Sequence, residues 1–374
     1  MKRILTLVLV SVLLFVTTQP VAAASLTKDY VLLYRQTEVV HSVDARHGLS
    51  LRKIEQLTAK SALVRLTHHE RHQLLKDGDV LAVVENITAT IDAQTLPWNI
   101  TMVNAPSVWS GGTADTIKVA IIDTGIYLTH PDLAANIKGQ YNAINPRKTA
   151  NDDNGHGTHV AGIVAALNNT LGVVGVAPDA DLYAIKVLDA RGSGTLANLI
   201  KGINYAISID VDVINLSLGF GSATEDQLLP LHAVIQDAVE ANITVVAAAG
   251  NDPTIPTSLP GRYPEVLSVA AISQTRQLAS FNSVGKIDFT APGVSIYSTY
   301  KKSYATLSGT SMATPHVAGA VALILARSSS DLDFDGTITP SEVEAVLASI
   351  SVDLASPGFD SVSGWGLIDL QRLP

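Results

Sequence analysis

Four segments of this 374-residue chain carry side chains suited to acyl transfer. The first, Val119-Ala120-Ile121-Ile122-Asp123-Thr124-Gly125, ends an apolar run on an acid and turns at once on glycine. The second, Asn154-Gly155-His156-Gly157-Thr158-His159-Val160-Ala161-Gly162, sets an imidazole between two glycines, where the backbone can approach a neighbour closely. His156 can reach from there toward an acid across a sheet, whereas His159 is expected to face packing. The third, Ala247-Ala248-Ala249-Gly250-Asn251-Asp252, runs a strand out onto a short amide able to donate N–H to a developing oxyanion. The fourth, Ser308 to Gly319, places Ser311 at the start of a helix, whose free N–H groups favour negative charge beside the hydroxyl.

Each segment alone has a commoner reading: a solvated turn aspartate, a structural histidine, a turn asparagine, an N-cap serine. Together they supply an acid, a base, a nucleophile and an oxyanion donor. Serine attacks only when a base takes its proton, and that base needs an orienting acid. The chain order is acid, histidine, serine. Lipase-like hydrolases run serine, acid, histidine around a G-x-S-x-G elbow, which Gly309-Thr310-Ser311-Met312-Ala313 does not match. Chymotrypsin-like barrels run histidine, acid, serine.

Elements able to position these groups are legible from residue 117 onward. Ile117–Ile122, Leu182–Val187, Val213–Leu216 and Thr244–Ala248 are rich in Val, Ile and Ala and predict fully buried parallel strands. Leu196–Ser208 and Leu229–Asn242 predict crossover helices between them. The expected fold is a doubly wound α/β domain, with ligands at the carboxyl ends of its strands. Before it, Tyr30–Tyr34, Ala62–Leu66 and Leu81–Val84 read as strands and His68–Lys76 as helix-friendly, in a small α+β, ferredoxin-like domain.

These four blocks, in this order, resemble the subtilisin family of secreted serine endopeptidases, from about Ala93 to the C-terminus. The resemblance implies that Asp123 orients the imidazole, His156 acts as general base and then acid, and Ser311 attacks the peptide carbonyl. Asn251 and the Ser311 N–H would form the oxyanion hole. It implies that Gly192-Ser193-Gly194 and Ser217-Leu218-Gly219 flank an extended peptide as added strands. Ala248, Ala249 and Gly250 would form one wall of the P1 pocket. The stretch from Asn251 to Tyr263 is shorter than in many relatives and holds Pro253, Pro256 and Pro260, so the P1 choice stays open. Residues 25–92 resemble the family's inhibitory propeptide, cut near Asp92–Ala93.

Two calcium sites are expected. The resemblance implies a first, held by Gln94, Asp132, Asn169 and the carbonyls of Leu167, Leu171 and Val173. Calcium takes six to eight oxygens of these kinds. The second is read from the residues alone. Asp331, Asp333, Asp335, Gly336, Thr337 and Glu342 match D-x-D-x-D-G-x5-E, with helix-like sequence on either side. The competing reading is an acidic surface loop whose Pro340-Ser341-Glu342 starts a helix.

Composition bounds the rest. Hydrophobic residues are 47% and charged residues 16%, which excludes a disordered chain. The absence of cysteine excludes disulfides, thiolate metal sites and a thiol nucleophile. A net charge of −9 without basic clusters argues against nucleic-acid binding. Lys2 and Arg3, the thirteen-residue apolar run Ile4–Val16 and Ala22-Ala23-Ala24 read as a secretory signal over residues 1–24. That run is too short to span a bilayer. After it, residues 25–92 hold nine Lys/Arg and nine Asp/Glu, against fourteen and twenty-five in 93–374, which marks a boundary near residue 92. Five histidines (His41, His47, His68, His69, His72) fall in the shorter part, either as a solvated face or as groups that acid would charge. The expectation is a secreted, monomeric, autoprocessed endopeptidase. Its rivals are a dedicated processing protease, an inactive binding module and a calcium-dependent adhesion module.

Overall fold

The computed structural model of the chain describes residues 26–87 and 93–373. The expected leader and Asp92, beside the expected cut, lie outside these residues. The chain divides into two compact units after Ile91.

The first unit runs β1 (Thr27–Tyr34), α1 (Val40–His47), β2 (Lys53–Thr58), β3 (Ser61–Thr67), α2 (His68–Leu74) and β4 (Val80–Glu85). Its strands form an antiparallel sheet in the order β2-β3-β1-β4. That is the split β-α-β order. Tyr30, Leu32 and Tyr34 alternate inward along β1, as a sheet covered on one face requires. A capping box between Thr67 and Glu70 starts α2 and satisfies amides that the first turn leaves free. Twelve buried apolar side chains make up the core among the described residues, and β2 is exposed along nearly its whole length.

The second unit runs α3 (Trp98–Met102), β5 (Lys118–Asp123), β6 (Ile137–Asn142), α4 (His156–Ala165), β7 (Asp181–Lys186), α5 (Leu196–Ser208), β8 (Val213–Leu216), α6 (Leu229–Glu240) and β9 (Thr244–Ala248). It continues through β10 (Leu267–Ile272), β11 (Phe289–Pro292), β12 (Ile296–Tyr300), β13 (Ser303–Leu307), α7 (Thr310–Leu325), α8 (Pro340–Ile350), β14 (Ser351–Val352) and β15 (Leu367–Ile368). Nine of the described strands form one sheet in the order β14-β15-β11-β10-β9-β8-β5-β7-β6, parallel apart from β14. Strand alternation splits the core in two. Val119 and Ile121 of β5 face a layer with α4 and α7, while Ala120 and Ile122 face α5 and α6. Helix α7 is buried almost throughout, which its apolar sequence on every side permits.

The topology locates the crevice. From β5 the chain builds β6 and β7 on one side and then crosses to add β8 and its successors on the other. Such a reversal opens a cleft at the carboxyl ends of the central strands. Asp123 closes β5 at that point, as its last residue and not in the turn after it.

Candidate active site

Asp123 is fully buried and accepts from the Thr124 N–H at 2.6 Å. Its two carboxylate oxygens lie 2.8 and 2.9 Å from His156 Nδ1. That contact places the ring proton on Nδ1 and leaves Nε2 as the basic nitrogen. His156 is the first residue of α4. Burial disfavours charge on its ring, but the Asp123 carboxylate and, more weakly, Asp152 favour it, and the imidazole is raised above its ordinary value. Its side chain is 28% exposed, so the base remains reachable from solvent.

His159, one turn along, lies in a different setting. It is fully buried and Nε2 meets the carbonyls of Ile296 (3.0 Å) and Ala305 (3.1 Å). Two acceptors make Nε2 the donor and leave Nδ1 bare. Burial, the largest influence, holds this ring down at about 4.

Ser311 is the second residue of α7, behind Gly309 as N-cap. Its hydroxyl donates to the Ser217 carbonyl at 3.1 Å, and no hydrogen bond to His156 is made among the described residues. A carbonyl ending the β8 segment competes for the same proton, and catalytic hydrogen bonds of this kind tighten only around substrate. Thr310 N–H and Oγ1 both donate to Asn251 Oδ1, at 2.8 and 3.1 Å. With its oxygen so fixed, the Asn251 amide presents Nδ2 as its free donor.

Two cavities border these groups. A cleft of about 520 Å³ is lined by Asn154, His156, Gly192, Ser193, Gly194 and the 217–219 segment, with Leu188, Leu199 and Phe220 supplying apolar wall. A second, of about 240 Å³, is lined by Leu218, Gly219, Ala248, Gly250, Asn251, Ser258 and Ser311. Ala249 lines neither. It is fully buried against Ala270 and Ile287 because successive strand residues point to opposite faces, which corrects its expected place in the pocket wall. Ser217 lines the larger cleft, but its carbonyl is occupied by Ser311, and its hydroxyl donates to the Ser311 carbonyl at 2.9 Å.

Residues absent from the sequence reading complete the site. Asp152 accepts from the Asn154 and Gly155 N–H groups and from Thr158, bracing the turn before His156. Its position just ahead of Asn154-Gly155-His156 was a signal. Leu199 and Phe220 carried none, since only folding brings them to the site.

The expected calcium ligands also gather. Asp132, fully buried, accepts from Val173 N–H (2.9 Å), Asn169 Nδ2 (2.8 Å) and Tyr304 OH (3.2 Å). Burial pushes its carboxyl above the ordinary range. Gln94 Nε2 donates to the carbonyls of Leu167 (2.6 Å) and Val173 (3.1 Å), and Leu171 N–H donates to Asn169 Oδ1. In the other loop the carboxylates of Asp331, Asp333 and Asp335 converge within 4.8 Å. Thr337 N–H donates to Asp335 at 2.8 Å. Glu342 reaches over the loop, yet Oε1 accepts from Leu332 and Asp333 N–H and Oε2 belongs to the capping box of α8.

An acid, an imidazole, a hydroxyl and an amide donor on the carboxyl rim of a parallel sheet define a serine hydrolase. Residues 114–366 match the model of the subtilase family. The chain is 40% identical over 371 residues to a thermostable alkaline protease of Halalkalibacterium halodurans, covering 98% of this chain and 97% of that one. It is 40% identical over 369 residues to subtilisin NAT of Bacillus subtilis subsp. natto, covering 94% and 92%. An alkaline protease of Alkalihalobacillus alcalophilus is 44% identical over 270 residues, 71% of this chain and 69% of that one. The chain belongs to the subtilase family and is a serine-type endopeptidase.

Proposed function

We propose that the chain is exported, folds as a zymogen and cuts itself free of residues 25–92, leaving an extracellular endopeptidase with Asp123, His156, Ser311 and Asn251 as its catalytic set. His156 Nε2 takes the Ser311 proton as Oγ attacks the peptide carbonyl. Asp123 stabilises the imidazolium that forms, and Asn251 Nδ2 with the Ser311 N–H holds the oxyanion. The imidazolium then protonates the leaving amine, and water repeats the sequence on the acyl-enzyme. The observation that carries this reading is the double contact of Asp123 with His156 on the rim that also bears Ser311 and Asn251. The larger cleft suits an extended peptide with apolar side chains, and the smaller, beside Ser311, suits its P1 residue. Mass spectrometry of the secreted product with and without Ser311→Ala tests it. The native chain should lose its leader and residues up to about 92, and the variant should keep the second segment. Casein hydrolysis that survives phenylmethylsulfonyl fluoride would overturn the assignment.

Calcium accompanies this reading at two places. The first group fits the ion: a buried carboxylate, two amides and carbonyls of Leu167 and Val173 face one another, and the hydrogen-bond donors to Asp132 are all neutral. There calcium would tie the segment holding Gln94 to the loop after α4. The loop at Asp331, Asp333, Asp335, Thr337 and Glu342 has the ligand spacing, and Glu342 must release two loop amides to bind. Titration calorimetry of the wild type against Glu342→Gln separates the two. One binding event should be lost, and unchanged stoichiometry would remove the second site.

A further inference from the structure

The hairpin of β12 and β13 is joined at both ends to the chemistry. Three consecutive residues of β12 each donate a hydroxyl to a carbonyl of the segment that carries the general base. Ser298 Oγ bonds the His159 carbonyl (2.9 Å), Thr299 Oγ1 the Thr158 carbonyl (2.7 Å), and Tyr300 OH the Asn154 carbonyl (3.0 Å). His159 returns the contact through its two bonds to hairpin carbonyls. The other strand, β13, leads within four residues into Ser311. One rigid element thus grips the start of α4 and delivers the start of α7.

Tyr300, at the hairpin tip, packs against the turn that leads into His156. Gly155, immediately before His156, has φ +115°, and a Cβ there would lie 2.3 Å from the Tyr300 ring. The ring therefore fills the space a side chain at 155 would need, while the hydroxyl fixes the carbonyl of Asn154. Asn154 itself holds the His156 N–H through Oδ1 at 3.1 Å. Every one of these contacts is to backbone or to a neighbour of His156, so the tyrosine acts on the base through its turn.

We propose that the hairpin sets the register of His156 against Ser311, and that Tyr300 is a positioning residue for the reaction. This rests on the catalytic assignment above. Small errors in such geometry are expensive, because a displacement of about 1 Å at a reacting group can cost on the order of 10²-fold in rate. The hydroxyl contributes one neutral hydrogen bond, so Tyr300→Phe should lower kcat about three- to tenfold. KM for a peptide substrate should stay within about twofold, since uniform binding is untouched. The rate of inactivation by phenylmethylsulfonyl fluoride, which needs the base–nucleophile pair but no peptide, should fall in parallel. Tyr300→Ala, which also empties the space over Gly155, should lose on the order of 10²-fold. All variants are assayed as the full processed enzyme, well below their thermal midpoints. Wild-type kcat and inactivation rate in Tyr300→Phe overturn the proposal, as does a raised KM with unchanged kcat. If the wild type itself resists the sulfonyl fluoride, the catalytic assignment fails instead, so the two failures are distinguishable.

Discussion

Two layers of the second unit use the same residue types to opposite ends. On the rim, His156 is partly open and raised by an adjacent carboxylate, and Asn251 and Ser311 border cavities. Beneath it, His159 and His316 are fully buried, and burial holds them down at about 4 and about 3. His316 Nδ1 donates to the Met312 carbonyl and Nε2 accepts from Asn99 Nδ2, which makes the ring a neutral spacer. Two histidines three residues apart on one helix therefore differ in whether the ring meets a charge or only dipoles. The environment decides the role, and the rim should govern rate while the interior governs stability.

That division can be broken at four points. Ser311→Ala, freed of residues 25–92 by added active enzyme, should cost about 10⁶ in kcat, the loss established for the serine of this family, with an unchanged thermal midpoint. A midpoint that moved by several degrees would blur the two layers. Asp123→Asn should cost about 10⁴ in kcat, because the imidazole loses its tautomer and its counter-charge. In the wild type kcat/KM should fall as pH drops through a value above about 6.5, since the base must be neutral and its native value is raised. The asparagine variant should move that limb to lower pH. Asn251→Ala should cost about 10²–10³ in kcat with little change in KM, again a magnitude established for this family.

The interior should act on stability and leave the rate alone. His159 and His316 stay neutral in the fold down to about 4 and about 3, whereas unfolded histidine protonates near 6.5. The unfolded state binds more protons in that window, so stability present above about 6.5 is lost as pH falls toward those values. Each ring contributes up to about 1.4 kcal/mol per pH unit, and denaturant melts between pH 7 and 4.5 measure it. A flat profile would mean that the interior rings are solvated.

Much of this was legible in the residues because burial on both faces leaves an unmistakable run. Val213–Leu216, Thr244–Ala248 and Leu196–Ser208 have the bounds their apolar patterns predict. The edge was harder. Ile137–Asn142, with Lys138, Gly139 and Gln140 facing mixed surroundings, has no run of buried residues to announce it. The β12–β13 hairpin turns on Lys301 with positive φ, where a glycine or asparagine would have signalled the turn. The four chemical groups were legible from their neighbours. Their fine orientation was not: Ser311 turning to Ser217, Ala249 facing inward and Glu342 bonding loop amides are choices among rotamers and strand faces that tertiary packing makes.

The thin core of the first unit has a consequence for how long it lasts. The sixty-odd described residues, closed over twelve buried apolar side chains, sit in the size range where a solitary fold is marginal. If it is severed as proposed, such a body should open often enough to be digested by a nearby endopeptidase, and its own fragility would set how long it lasts.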